Sequence, residues 1–169
     1  MPRCALLLAL AASVPAAQGL PFFVQAGGDY LGPELRKALE TDWGYRLGLG
    51  TLLLERGLVG LPTIDLDGRY APDGEGTFAA FEVTYAERRQ IRQRWWLGLG
   101  LGSNFVRLKL AEIPGVRAAA EQRRWDIGGK LMAGYLLSER LFFEITWHYT
   151  RRALDLETMS FSGGLGYWF

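Results

Sequence analysis

His148 is the only histidine in the chain, so a site built from several imidazole ligands is excluded. Two residues on stands Thr150. On a strand, side chains two positions apart face the same way, which is the placement a general base and a hydroxyl nucleophile require. Glu157 is the nearest glutamate downstream, but alternation puts it in a loop or on the opposite face, and Arg151-Arg152 follow the pair directly. A threonine becomes a nucleophile only beside an activating base and an oxyanion site. The sequence therefore favours a structural role for His148 over the catalytic pair His148/Thr150. Asp65-Leu66-Asp67-Gly68 has the opening of a calcium loop but not its remaining ligand spacing or its closing Glu. Gly98-x-Gly100-x-Gly102 and Gly48-x-Gly50 lack the following helix whose N-terminus would hold a phosphate. These readings leave no metal site and no cofactor.

The segment that opens the chain belongs to none of this. Met1-Pro2-Arg3 carries one positive charge, and Cys4–Val14 is an apolar run too short to span a bilayer as a helix. Pro15–Gly19 then supplies a break and small residues. Residues 1–19 are expected to be a removed secretory signal peptide, cleaved after Gly19, with Ala16 and Ala17 as competing sites. Cys4, the single cysteine, leaves with it, so no disulfide or thiolate ligand is expected. Removal of Arg3 leaves 18 basic residues against 18 acidic ones. A neutral chain has no overall field for nucleic acid.

Residues 20–169 form one domain of alternating strands. Eight carry the pattern. Phe22–Tyr30 sets Phe22, Val24, Ala26 and Tyr30 against Gln25 and Asp29. Trp43–Leu53 sets an apolar face against Gly44, Arg46, Gly48 and Gly50. Leu58–Tyr70 opposes Ile64, Leu66 and Tyr70 to Thr63, Asp65, Asp67 and Arg69. Thr77–Ala86 places Glu82 and Thr84 behind Phe81, Val83 and Tyr85. Arg94–Leu108 puts Trp95, Leu97, Leu99 and Leu101 on one side. Arg123–Leu137 puts Arg124, Asp126, Gly128 and Lys130 on the other. Leu141–Arg151 opposes Glu144, Thr146, His148 and Thr150 to four apolar residues, and Thr158–Phe169 ends the chain. Aromatic residues cluster at the ends of the apolar faces, with aliphatic residues between them. That distribution suits lipid outside and a polar interior. Strands in lipid must close, because an open edge leaves backbone groups unpaired.

The expected long connections are Leu31–Asp42, Ala71–Gly76, Lys109–Gln122 and Arg152–Glu157. The expected short turns are Glu55–Gly57, Glu87–Arg92 and Ser138–Arg140. Long and short alternate, as they do when periplasmic turns are short and outer loops long. The first and third long connections contain helix-compatible stretches interrupted by Gly and Pro.

The last stretch, TMSFSGGLGYWF, resembles the C-terminal signal strand of bacterial outer-membrane β-barrels, with Ser162, Gly164, Tyr167 and Phe169 in the signal positions. With the strand pattern, the whole mature chain resembles the small eight-stranded barrels of the OmpX, OmpA-domain and opacity-protein type. The resemblance implies an all-β, eight-stranded antiparallel up-and-down transmembrane β-barrel in the bacterial outer membrane. It also implies insertion by the barrel-assembly machinery, and a monomer in contact with outer-membrane lipid and lipopolysaccharide. Arg36, Lys37, Arg117, Arg123, Arg151 and Arg152 would lie at the outer rim, where guanidinium groups suit lipopolysaccharide phosphates. Arg88, Arg89 and Arg92 would lie at the periplasmic side, near phospholipid headgroups. Asp29, Arg46, Asp65, Asp67, Arg69, Glu82, Arg94, Arg124, Asp126, Lys130 and Glu144 would form a charge network in the lumen, which an eight-stranded barrel leaves only wide enough for side chains. The expected role is structural or interactive at the surface. His148-Tyr149-Thr150 also resembles the His-x-Ser pair of lipid A deacylases, with Thr for Ser, which keeps a lipid-modifying enzyme as the alternative. A small conduit for hydrophobic ligands is the third.

Overall fold

The computed structural model describes residues 21–53, 57–73, 76–112 and 118–169. The expected signal peptide lies outside these residues. The strands are β1 (Phe22–Leu31), β2 (Trp43–Leu52), β3 (Leu61–Asp73), β4 (Gly76–Gln90), β5 (Trp95–Leu110), β6 (Ala120–Leu136), β7 (Leu141–Thr150) and β8 (Ser160–Trp168). One helix, α1 (Pro33–Leu39), sits between β1 and β2. Every strand pairs antiparallel with its sequence neighbour, and β8 returns to β1 to close the barrel. Closure pairs both edges, as strands surrounded by lipid require.

Alternation sorts the side chains strictly. In β2, Trp43, Tyr45, Leu47 and Leu49 are exposed while Gly44, Arg46, Gly48 and Gly50 are buried. Arg46 inside and Leu47 outside is the reverse of a water-soluble barrel. On β6, Trp125 and Tyr135 are ten positions apart and bound an outer face that includes Ile127 and Leu131. At about 3.3 Å per residue and a tilt of about 40°, that stretch rises about 25 Å, the height of a membrane-spanning apolar band.

The connections differ from the expected alternation in two places. β3 and β4 run on to pair Asp73 with Gly76, so paired strand takes up most of the expected loop Ala71–Gly76. In the other direction, β3 starts only at Leu61, so the expected short turn at Glu55–Gly57 becomes a connection over residues 53–60. Strands β4, β5 and β6 have 15, 16 and 17 residues against 10 in β1, β2 and β7, so one side of the wall stands taller.

The interior is stacked in three tiers. At the end carrying both termini, Phe23, Ala86, Trp96, Met132 and Phe142 form an apolar cluster with Leu136 and Trp168. At the opposite end a second cluster contains Leu31, Ala71, Phe78, Val106 and Leu108, closed over by Leu35 and Leu39 of α1. Between them lie the polar side chains. Three inward glycines accommodate the lower cluster. Gly134 faces the Trp96 ring, Gly50 faces Phe23 and Gly166 faces Phe142, each so closely that a Cβ would overlap the ring. At these three positions the space that glycine opens is filled by a neighbour's aromatic ring.

Candidate functional site

The middle tier is assembled from alternate residues of β1, β2, β3, β4, β6, β7 and β8. Arg46 is its hub: Nε donates to Asp67 Oδ1 at 2.8 Å, Nη1 to Thr146 Oγ1 at 2.9 Å and Nη2 to Glu144 Oε1 at 3.1 Å. Lys130 Nζ lies 2.6 Å from Asp67 Oδ2 and 2.7 Å from Asp65 Oδ2. Arg88 reaches Asp65 Oδ2 at 2.9 Å, Glu144 Oε2 at 3.3 Å and Thr63 Oγ1 at 2.5 Å. Arg69 pairs with Glu82 and donates to Ser160 Oγ at 2.6 Å, and Ser160 donates to Asp29 at 2.7 Å. An isolated buried ion costs several kcal/mol, so each charge must meet an opposite one or a hydrogen-bond partner. Two guanidinium groups also mark the tier's limits. Arg88 lies 4.9 Å from the Phe23 ring and 5.2 Å from Trp96, and Arg69 lies 5.6 Å from Phe78. Their ring-facing sides contact the apolar clusters while their edges serve the acids.

Three positions expected in this network are elsewhere. Arg94 is exposed in the β4–β5 turn, because the strand begins only at Trp95. Arg124 and Asp126 have inward parity but pair with each other at 3.0 Å near the end opposite the termini, with 41% of the Arg124 side chain exposed. There β6 outruns β7, whose pairing stops at Gly128↔Thr150, so the wall beside them is missing. Arg88 moves the opposite way, from the expected periplasmic surface into the lumen. β4 continues to Gln90, so the parity of Glu82, Thr84 and Ala86 extends to Arg88. Arg117 lies outside the described residues.

His148 does not engage Thr150. Its Nδ1 is 2.9 Å from Glu82 Oε2 and its Nε2 is 2.9 Å from Ser162 Oγ. Thr150 Oγ1 instead donates to Thr158 O at 3.4 Å. Same-face residues along a strand are about 6.6 Å apart, whereas the strands of a pair are closer, so the histidine bonds across the barrel. Ser162, His148 and Glu82 thus fall in the order of a hydroxyl–imidazole–carboxylate triad. Each is at most 1% exposed, Glu82 is shared with Arg69, and both ends of the lumen are apolar. Among the described residues no cluster of metal-ligating side chains occurs.

Of the terminal-strand residues, Ser162 is inward on His148, and Gly164 packs against the Ala26 backbone. Tyr167 and Phe169 are outward, their rings 4.9 Å apart, and Phe169 stacks on Phe22 at 4.8 Å while its N–H donates to Phe22 O at 2.9 Å. At the end opposite the termini, Arg36 reaches Tyr30 OH and Asp42, Arg151 lies 3.9 Å from Asp126, and Arg152 lies 3.6 Å from Glu157. Lys37 is exposed on α1. Arg107, which periodicity alone did not single out, stands directly across β5–β6 from Arg123 on the outer face, and both donate to Glu121 Oε1, at 3.0 and 2.8 Å.

A closed antiparallel barrel with charges inside, apolar residues outside and aromatic residues at both rims defines an integral outer-membrane β-barrel of the eight-stranded up-and-down class. The solved structures most informative for comparison have that fold. Ail, the attachment invasion locus protein of Yersinia pestis, in complex with the heparin analogue sucrose octasulfate, is 15% identical with a TM-score of 0.61, over 90% of this chain and all of Ail. Neisserial surface protein A is 12% identical at 0.53, over 92% of this chain and all of that one. The N-terminal barrel domain of Pseudomonas aeruginosa OprF is 14% identical at 0.56, over 88% and 97%. No protein-family model matches the chain, and no curated protein matches it in sequence.

Proposed function

We propose that the protein is a non-enzymatic, monomeric outer-membrane barrel with a closed lumen, acting through its outer rim and loops. The observation that carries this is the interior: an apolar cluster, a tier of buried ion pairs and a second apolar cluster. The rim supports an interaction with lipopolysaccharide. Arg107 and Arg123 face each other across one strand pair, where like charges repel, and share the single carboxylate of Glu121. They stand just above Phe105 and Trp125, the level at which lipid A phosphates lie over an aromatic belt. Ail, a barrel of the same fold, has been solved with a polysulfated sugar. On this reading residues 1–19 direct export and are removed, and the assembly machinery reads Ser162, Gly164, Tyr167 and Phe169. The test is conductance: purified protein in a planar bilayer gives no steady porin-like current. A stable single-channel current from the wild-type monomer overturns the closed lumen and favours a conduit.

One observation favours a second reading: the order Ser162–His148–Glu82. An enzyme acting on lipid A would need the lumen to open toward the membrane. Mass spectrometry of lipid A from cells producing the barrel decides it. Unaltered lipid A supports the structural role, whereas loss of an acyl chain that His148→Ala abolishes establishes the enzyme.

A further inference from the structure

The end carrying the termini holds guanidinium groups that the interior network does not use. Residues 91–94 turn β4 into β5 tightly. Ile91 N and Arg92 N donate to Trp95 O at 2.9 and 3.3 Å, Trp95 N donates to Arg92 O at 3.2 Å, and Gln90 Nε2 donates to Gln93 O at 2.7 Å. Arg92, Gln93 and Arg94 of this turn line an open cleft of about 460 Å³ with Trp95 and Tyr135. Those two aromatic residues are cross-strand neighbours on the lipid-facing side, ring centroids 4.9 Å apart. Arg89 stands on the lipid face of β4 opposite Leu97, deeper toward the membrane than the turn. Arg89, Arg92 and Arg94 are exposed. Among the described residues none of the three pairs with a carboxylate, whereas their neighbour Arg88 pairs with two.

The surroundings are apolar as well as basic. In the adjacent connection Leu58 is 99% exposed and Val59 is half exposed. The turn is not loose: the Glu87 carboxylate accepts Leu58 N at 2.9 Å, Gly60 N at 3.0 Å and the Val59 N–H. Ile91 is also exposed. A fixed, fully exposed leucine beside unpaired arginines and an aromatic pair suits the boundary between headgroups and acyl chains. There apolar side chains enter the chains, and arginine stems run along them to bring guanidinium groups to the phosphates.

We propose that this sector binds an anionic phospholipid of the periplasmic leaflet. Arg92 and Arg94 hold the phosphodiester, Arg89 approaches it from the membrane side, and Trp95 with Tyr135 packs on the glycerol and upper acyl region. A soluble phosphate shares the charge but not the apolar contacts. The inference rests on the membrane-spanning barrel and not on the closed lumen, so a conducting barrel leaves it standing.

The experiment is native mass spectrometry of the barrel released from nanodiscs of equal parts phosphatidylglycerol and phosphatidylcholine. Wild type retains phosphatidylglycerol in preference. Retention falls about fivefold for each arginine neutralised in R89Q, R92Q and R94Q, the effect of about one surface charge on anionic lipid. R107Q/R123Q, at the far rim, retains it like wild type, and R89K/R92K/R94K keeps most of it. Heat-modifiable gel mobility shows that each variant is folded, and the single turn variants R92Q and R94Q are read alone if the triple variant is not. No preference over phosphatidylcholine, or undiminished retention in folded R92Q and R94Q, overturns the site. Displacement of the lipid by inorganic phosphate alone assigns the cleft to a free anion and overturns it equally.

Discussion

Lys130 is the residue on which the middle tier depends most directly. It neutralises Asp65 and Asp67 together, at 2.7 and 2.6 Å. Without it the two acids retain Arg88 and Arg46, which are also committed to Glu144. Removing one member of a buried ion pair costs about 3–5 kcal/mol, because its partner is left charged and desolvated. Lys130→Met is therefore expected to lower the unfolding free energy by about that amount, read from urea titration of tryptophan fluorescence in vesicles. Adding Asp67→Asn restores part of the loss, and an unchanged midpoint for Lys130→Met shows that the network does not hold the barrel together. Most of this tier was legible from alternation: Arg46, Asp65, Asp67, Arg69, Glu82, Lys130 and Glu144 follow from parity alone. Arg88 was not, because Glu87–Arg92 is polar except for Ile91 and reads as a turn. The strand survives there because Glu87 spends its charge on three backbone N–H groups of the neighbouring connection, a partner far away in sequence.

The elements that close the lumen were harder to read. Gly32-Pro33 looks like an interruption of the first long connection. Proline at the first helical position instead begins α1, since its missing N–H is unpaired there anyway. Leu35 and Leu39, one turn apart, then face the same cluster. Leu35→Asp with Leu39→Asp is expected to expose this end to protease on intact cells. It yields no current, because the charge tier and lower cluster still fill the barrel; a steady current would place the only seal at α1. The lower cluster makes a different demand. Gly134→Ala forces a methyl into the Trp96 ring, and overpacking of this kind costs about 1–3 kcal/mol, measurable as a lower urea midpoint. Wild-type stability would show that Trp96 can move aside. At the closing seam, Phe169 stacks on Phe22 and bonds its backbone. Deleting it is expected to leave periplasmic, protease-sensitive chains and a reduced outer-membrane yield, whereas unchanged yield removes the assembly role of the terminal residue.

For the whole molecule the open question is orientation. Connection length alone is a weaker guide than the sequence implied, because residues 53–60 at the terminus end outnumber the two between Asp73 and Gly76 at the other. The remaining connections keep the rule: residues 32–42, 111–119 and 151–159 lie opposite the termini, and the short turns 91–94 and 137–140 lie beside them. Chemistry divides the same way. The far end carries the tall wall of β4, β5 and β6 with Arg107 and Arg123 above an aromatic pair, suited to phosphorylated glycolipid. The terminus end carries Leu58, Ile91 and three unpaired arginines, suited to phospholipid. Only one orientation matches both leaflets of an asymmetric outer membrane. Cysteines replacing Lys37 and Asp155, both exposed at the far end, are therefore expected to react with a membrane-impermeant maleimide on intact cells. Cysteines replacing Glu139 and Ser138, exposed between β6 and β7, are expected to react only after the outer membrane is opened. The reverse pattern inverts the barrel and exchanges the two lipid assignments, and labelling of all four on intact cells shows that the strands do not cross the membrane in this register.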